Sequence, residues 1–220
     1  VALAAGPILL LLYTLVLIPF TPGISDIRKA KLEQPARVLS ADGQELAEFK
    51  RSNREWVSLQ EISPHVVAAL IATEDRRFYR HFGISPRGIA SAIRINLSEG
   101  RGPLEGNGGS TITQQVAKLL CLGVPYDQTK WASEAEYEED CRSGGVYRKL
   151  KELPFAVAME AKYSKADILT IYFNRAYLGA GSRGFQAASQ RYFGKEASDV
   201  TPAEAAMLAS IPKFPSSGNP

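Results

Sequence analysis

The sequence predicts a mainly α-helical domain preceded by a membrane-spanning helix and a small β-hairpin, and three observations lead to this prediction. Residues 1–20 contain no charged side chain. One segment of alternating apolar and polar residues surrounds an Asp-Gly turn, and the sequence after it has apolar residues at helical spacing with capping signals. We therefore expect an anchor over residues 1–22, a linker with the hairpin over 23–56, and a helical domain over 57–220.

The anchor prediction depends on length and apolar character. Residues 8–18 are almost continuously apolar, and twenty helical residues reach about 30 Å, the thickness of a bilayer core. A cleaved signal peptide is the alternative, but its apolar region is usually shorter and a small-residue cleavage site follows it, which is not evident before Asp26. Arg28, Lys29 and Lys31 follow the apolar segment. Under the positive-inside rule they favour a cytoplasmic location for the residues after the anchor, opposite to an extracytoplasmic domain.

Local signals place the other elements. Residues 37–49 predict a hairpin that turns at Asp42-Gly43. Ser63, Ser85 and Thr201 each precede a proline, as expected for a capping hydroxyl followed by proline at the first helical position. Ser164 predicts the start of a further helix over residues 165–173.

Charge and cysteine content exclude some classes of function. The net charge is only +3 and there is no run of Lys and Arg, so nucleic acid is not an expected partner. Cys121 and Cys141 are the two cysteines, and they lack the spacing of a metal site. They would form a disulfide in an oxidising compartment or remain two ordinary thiols in a reducing one.

Residues 109–118, with the sequence GSTITQQVAK, predict a helix that begins with a Ser110 cap and has two different faces. An ordinary solvent-exposed helix face favours Glu and Lys, whereas the polar face here suits hydrogen bonds to a sugar and contact with a phosphate. A polar outer face without a ligand is the alternative. The apolar face contains Ile112, Val116, Leu119 and Leu120, and the polar face contains Thr111, Gln114, Gln115 and Lys118.

Two further segments contain candidate catalytic carboxylates. Glu74 ends an apolar helix, where burial could raise the pKa of a carboxyl group and make it a general base; a surface pair with Arg77 is the alternative. His81 is expected to hold a loop. In residues 148–152, three cations surround Glu152, which suits a diphosphate but equally suits a solvated helix start. Pro154 predicts that this helix begins near Leu153, with Glu152 close to its N-terminus.

Taken together, these segments resemble the peptidoglycan glycosyltransferase domain, family 51, of class A penicillin-binding proteins. Five motifs occur in the family's order, which is more specific than any one of them, and the resemblance covers roughly residues 57–220. The matching segments are 74–83, 109–118, 148–152, 174–179 with 184 and 192–195, and 204–209 with Pro212 and Pro215.

The resemblance implies a lysozyme-like helical fold that polymerises lipid II on the outer face of the cytoplasmic (inner) membrane. It implies that Glu74 is the general base that takes the proton from the acceptor 4-hydroxyl. The anomeric carbon is then attacked with inversion, and undecaprenyl diphosphate leaves. Glu152 resembles a second carboxylate that organises the donor. The substrate-binding residues implied are Ser110, Thr111, Gln114, Gln115, Lys118, Arg148, Lys149 and Asn174.

The implied partners are lipid II, the growing glycan chain and the membrane, with cell-wall synthesis proteins as further candidates. No cofactor is required, no dedicated metal site is visible, and a divalent cation could assist the diphosphate. The Gly-rich segment 99–109 is expected to lie over the cleft. The chain resembles the front of a bifunctional enzyme, so a transpeptidase domain could follow residue 220.

One segment departs from the family pattern. Residues 121–147 are longer than the corresponding connection in relatives, which contains an arginine that contacts phosphate; Arg142 or Lys130 could replace it. Two other functions remain open at this point. One is a lytic transglycosylase or lysozyme-like hydrolase, and the other is a non-catalytic, membrane-anchored scaffold in cell-wall assembly.

Overall fold

The structure is a computed structural model that describes residues 12–22, 36–49, 56–103, 109–143 and 145–213. These residues are mainly helical, as predicted, and contain one two-stranded sheet. The strands are β1 (Ala36–Leu39) and β2 (Glu45–Phe49). The α-helices that follow the sheet are α1 (Pro64–Glu74), α2 (Pro86–Ser98), α3 (Ile112–Leu119), α4 (Glu134–Arg142), α5 (Gly145–Lys162), α6 (Lys165–Arg175), α7 (Phe185–Phe193) and α8 (Pro202–Ser210).

The chain divides into two compact units. The first consists of Val1–Pro22 and Ile71–Tyr172, and the second of Gly23–Leu70 and Phe173–Pro220. In the first unit α3 packs on α5, with Ile112, Val116 and Met159 fully buried. In the second unit Phe173 and Phe185 pack edge to face, with ring centroids 4.8 Å apart.

The predicted anchor is described only in its last part. Residues 12–17 are helical and the 3₁₀ turn Ile18–Phe20 follows. Across the described ranges, none of the helices combines the length and the apolar character that crossing a bilayer requires. Residues 1–11 of the predicted anchor lie outside the described residues, as do 23–35 and 50–55 of the linker and 104–108 of the Gly-rich segment.

The predicted hairpin and two of the predicted caps, Ser85 and Thr201, are confirmed. Strands β1 and β2 are antiparallel, and the turn between them places Gly43 at φ +84°, a conformation that favours glycine. Ser85 caps α2 by accepting the N–H of Gly88, and Thr201 forms a capping box with Glu204 at the start of α8. The helix that follows Ser164 extends to Arg175, beyond the predicted end at 173.

The prediction from Pro154 is wrong. Helix α5 runs unbroken through Pro154, so Glu152 lies inside the helix and not at an N-terminus. A proline inside a helix removes one backbone hydrogen bond and costs about 3 kcal/mol. The residues that follow Pro154 offset this loss because they bury a continuous apolar face: Phe155, Ala156, Ala158 and Met159 are each at most 2% exposed.

The predicted cap of α3 is also wrong by one residue. Thr111, not Ser110, is the capping residue, and it forms a capping box with Gln114. The Thr111 hydroxyl accepts the Gln114 N–H at 3.1 Å and donates to the Gly83 carbonyl at 2.6 Å. Thr111 therefore both starts α3 and joins it to the loop after α1, a second contact that the sequence pattern does not reveal.

The insert between α3 and α5 is a small folded element. Cys121 and Cys141 form a disulfide that joins the end of α3 to α4. Next to it, the ring of Tyr137 packs against Trp131 at 5.0 Å and Tyr126 at 5.6 Å. The side chain of Arg142, one candidate for the missing phosphate contact, lies outside the described residues, whereas the other candidate, Lys130, is exposed.

Candidate active site

Glu74 is the last residue of α1, and its half-buried side chain has a defined partner. The Gln115 side-chain amide, on α3, donates to Glu74 Oε2 at 2.7 Å. The Tyr172 hydroxyl, on α6, donates to the other end of the same amide, Gln115 Oε1, at 3.2 Å. Glu74, Gln115 and Tyr172, all in the first unit, therefore form one chain of contacts. A carboxylate held in place at a helix end can serve as a general base.

The neighbouring carboxylate, Asp75, has a different role. Its Oδ2 atom accepts the backbone N–H of Ile112 at 3.0 Å, and His81 Nε2 lies 2.9 Å from the same oxygen. Asp75 is only 8% exposed. It therefore ties the first turn of α3 to the end of α1, and His81 has the structural contact predicted for it. This positioning role of Asp75 was not predicted from the sequence.

A second group of side chains surrounds Glu152 on α5. Glu152 is 1% exposed and forms ion pairs with Arg148, one turn earlier, and with Lys149, whose Nζ lies 3.1 Å from Oε2. Lys149 also donates to the hydroxyl of Ser110, just before α3. Glu152 therefore pairs with two cations beside the start of α3.

The electrostatics of this group indicate an excess of positive charge. Burial, together with the charges of Arg148 and Lys118, lowers the pKa of Lys149. Lys118 lies exposed in the last turn of α3. A bound anion would attract each of these cations and so offset their mutual repulsion. The arrangement therefore suits a phosphate or diphosphate group.

The remaining predicted substrate contacts have structural partners. Thr111 and Gln114 are 1% and 2% exposed, and their polar atoms form the capping box of α3. In the second unit, the Asn174 amide donates to the Val57 carbonyl and accepts the Val57 N–H, both at 2.8 Å. These bonds fix local structure, and the contacts of Thr111, Gln114 and Asn174 with a substrate stay predictions.

Helix α3 links the two groups of side chains within the first unit. Ser110 precedes it, Gln115 is in its second turn, and Lys118 is in its last turn. The glycine before it allows close packing, because a Cβ at Gly109 would lie 2.7 Å from the Ile89 Cα atom. The described residues contain no group of three or more His, Cys, Asp and Glu side chains that could hold a metal ion.

Comparison with known proteins identifies the family. The family model described as Transglycosylase matches residues 42–220. The chain belongs to this family. The match includes the segments that contain Glu74, Gln115 and Glu152.

Three relatives show how the chain compares with whole proteins of this family. It is 38% identical over 199 residues to penicillin-binding protein 1A of Vibrio cholerae, covering 90% of this chain and 22% of that protein. It is 40% identical over 197 residues to penicillin-binding protein 1F of Bacillus subtilis, covering 90% and 25%. It is 37% identical over 202 residues to penicillin-binding protein 1A of Escherichia coli, covering 92% and 21%. The chain thus spans about a quarter or less of the length of these relatives.

Proposed function

We propose that this chain is a peptidoglycan glycosyltransferase that polymerises lipid II into β-1,4-linked glycan strands and releases undecaprenyl diphosphate. The observation that carries the proposal is that α3 contacts both a carboxylate, Glu74, through Gln115 and a cationic cluster through Ser110, just before the helix. The chain that contains this arrangement is a member of the transglycosylase family. The reaction needs a base for the acceptor and positive charge for the leaving diphosphate.

The proposed step is a single displacement at the donor sugar. Glu74 takes the proton of the acceptor 4-hydroxyl as its oxygen forms a bond to the donor anomeric carbon. The bond from that carbon to the diphosphate oxygen breaks, and the diphosphate leaves with the electron pair. One displacement inverts the configuration at the anomeric carbon, which gives the β link.

The cationic cluster would stabilise the leaving group. Lys149, Arg148 and Lys118 supply charge where the diphosphate becomes more negative, and Glu152 keeps the first two in place. A diphosphate is already a good leaving group, so charge neutralisation can replace a strong general acid. No cofactor is needed in this scheme. A divalent cation could assist the diphosphate, but the described residues offer no dedicated ligand set and no step depends on one.

The fold, the membrane location and the partners of the chain are part of the same proposal. The helical domain would have the lysozyme-like fold, and a helix over residues 1–22 would anchor it in the cytoplasmic membrane with the domain on the outer side. A lipid-linked substrate stays in the bilayer, so an anchored enzyme remains beside it. The disulfide supports an oxidising, extracytoplasmic location. The partners would be lipid II, the growing glycan chain and cell-wall synthesis proteins.

The test is the product formed from labelled lipid II by the purified chain in detergent. We expect long glycan strands and one undecaprenyl diphosphate released for each disaccharide added. Binding of lipid II without product would support a scaffold instead. Cleavage of preformed strands, without extension, would support a hydrolase.

A further inference from the structure

Tyr172 is a buried polar group that the proposed reaction does not yet use. Its side chain is 1% exposed, on a segment of α6 where Ile168, Leu169 and Ile171 are fully buried. Its hydroxyl lies 3.2 Å from Gln115 Oε1, and Gln115 Nε2 lies 2.7 Å from Glu74 Oε2. A buried tyrosine, an amide and the candidate base thus form a continuous chain of hydrogen bonds.

The chemistry of the three groups fixes the direction of each bond. An ionised carboxylate only accepts hydrogen bonds, so the Gln115 amide must present its NH₂ group to Glu74. The amide oxygen then faces Tyr172, and the hydroxyl must donate to it. Burial and the charge of Glu74 raise the pKa of Tyr172, so the hydroxyl keeps the proton that it donates. A reversed amide would place two acceptors, the amide oxygen and the Glu74 carboxylate, against each other.

We propose that Tyr172 and Gln115 are positioning residues for Glu74. Tyr172 holds the Gln115 amide in one orientation, and that amide holds Glu74 Oε2, so the other carboxylate oxygen is left to take the acceptor proton. In this proposal Tyr172 acts on Glu74 through Gln115 and is not a substrate contact. The inference rests on the proposed glycosyl transfer, in which a small displacement of the base slows the reaction strongly.

A double-mutant cycle tests this order of action. The variants are Tyr172→Phe, Gln115→Met and the two together, assayed for lipid II polymerisation. We expect Tyr172→Phe to lower kcat about fivefold with an unchanged KM, and Gln115→Met to lower kcat by roughly tenfold or more. Because the hydroxyl acts through the amide, the double variant should match Gln115→Met.

Tyr192→Phe is the matched control, since the Tyr192 hydroxyl donates to the Leu178 carbonyl at 2.7 Å and is not part of this chain of bonds. Combined with Gln115→Met, it should give simple additivity. Additive losses for Tyr172→Phe and Gln115→Met would overturn the inference, as would a raised KM for Tyr172→Phe alone.

A crystal structure of Tyr172→Phe gives a second test that is independent of activity. We expect the Gln115 amide to rotate or leave Glu74, whereas an unchanged contact would overturn the inference. If the wild-type chain makes no glycan, the proposed function fails by itself. If it makes glycan and the cycle is additive, only the positioning role fails.

Discussion

At the scale of single residues, two adjacent carboxylates at the end of α1 have separate tasks. Glu74 is bonded by a side-chain amide and is the candidate base. Asp75 accepts the Ile112 N–H at 3.0 Å and contacts His81. A carboxylate at a helix N-terminus is favoured by the exposed N–H groups and by the helix dipole. Asp75 therefore determines where α3 begins relative to the candidate base.

This role predicts a loss of stability in Asp75→Asn. The amide keeps one oxygen for the Ile112 N–H but loses the negative charge, which should cost about 1–2 kcal/mol in the free energy of unfolding. Denaturant unfolding measures the change. Asp167→Asn is the control, because Asp167 makes a comparable contact with the Ser164 N–H at the solvent-accessible start of α6. Equal losses in the two variants would contradict the role assigned to Asp75.

Glu74 and Glu152 were predicted from the sequence as candidate catalytic residues, but the side chains that contact Glu74 were not predicted as its partners. The motif predicts the carboxylate, whereas its partner Gln115 is 41 positions away and Tyr172 is a further 57 positions from Gln115. Such contacts depend on how helices pack, which a local pattern does not specify. The ion pairs of Glu152 with Arg148 and Lys149 join residues four and three apart on one helix. The helix start predicted near Leu153 left these residues outside the helix, so this spacing was not used.

At the scale of elements, the insert after α3 is stabilised by its own contacts. The Cys121–Cys141 disulfide closes a loop with a sequence separation of 20 residues. Within it, Trp131 Nε1 donates to Asp140 at 3.2 Å, and Tyr126 donates to the Trp131 carbonyl at 3.2 Å. This element leads directly into α5, which contains the candidate diphosphate cations.

Removing the disulfide should loosen this element first. The double variant Cys121→Ser, Cys141→Ser should lose up to about 3 kcal/mol of stability, from the entropy regained by the open loop. Hydrogen exchange should rise most in residues 121–143. Treating the wild-type chain with a reductant should reproduce the change, while the double variant should not respond. Unaltered exchange in this segment would show that the other contacts suffice.

Capping signals predicted the starts of helices well, and burial explains where prediction failed. Ser85 and Thr201 cap α2 and α8 because capping is a contact between residues close in sequence. Pro154 gave a wrong helix start because the apolar face after it is buried, and packing outweighs one lost hydrogen bond. Ser110 was expected to cap α3, but its hydroxyl accepts a hydrogen bond from Lys149 of α5, which is 39 residues away in sequence.

At the scale of the whole molecule, a mainly helical protein with one hairpin was predictable from periodicity and turn residues. The division into two units was not predicted, because each unit combines segments from distant parts of the chain. Family membership follows from the match over residues 42–220. Beyond family membership, we propose that this chain itself transfers glycosyl units, with Glu74 as the base.

The most direct measurement is the rate of lipid II polymerisation by Glu74→Gln beside the wild-type chain. Glutamine keeps the shape and can still accept the Gln115 hydrogen bond, but it is not a base at neutral pH. Glu61→Gln is the matched control, because Glu61 accepts the Ser58 N–H in a capping box that glutamine also supports. We predict a loss of at least about 100-fold for Glu74→Gln, as expected for a lost general base, and near wild-type activity for Glu61→Gln. Wild-type activity in a folded Glu74→Gln protein would show that Glu74 is not the base.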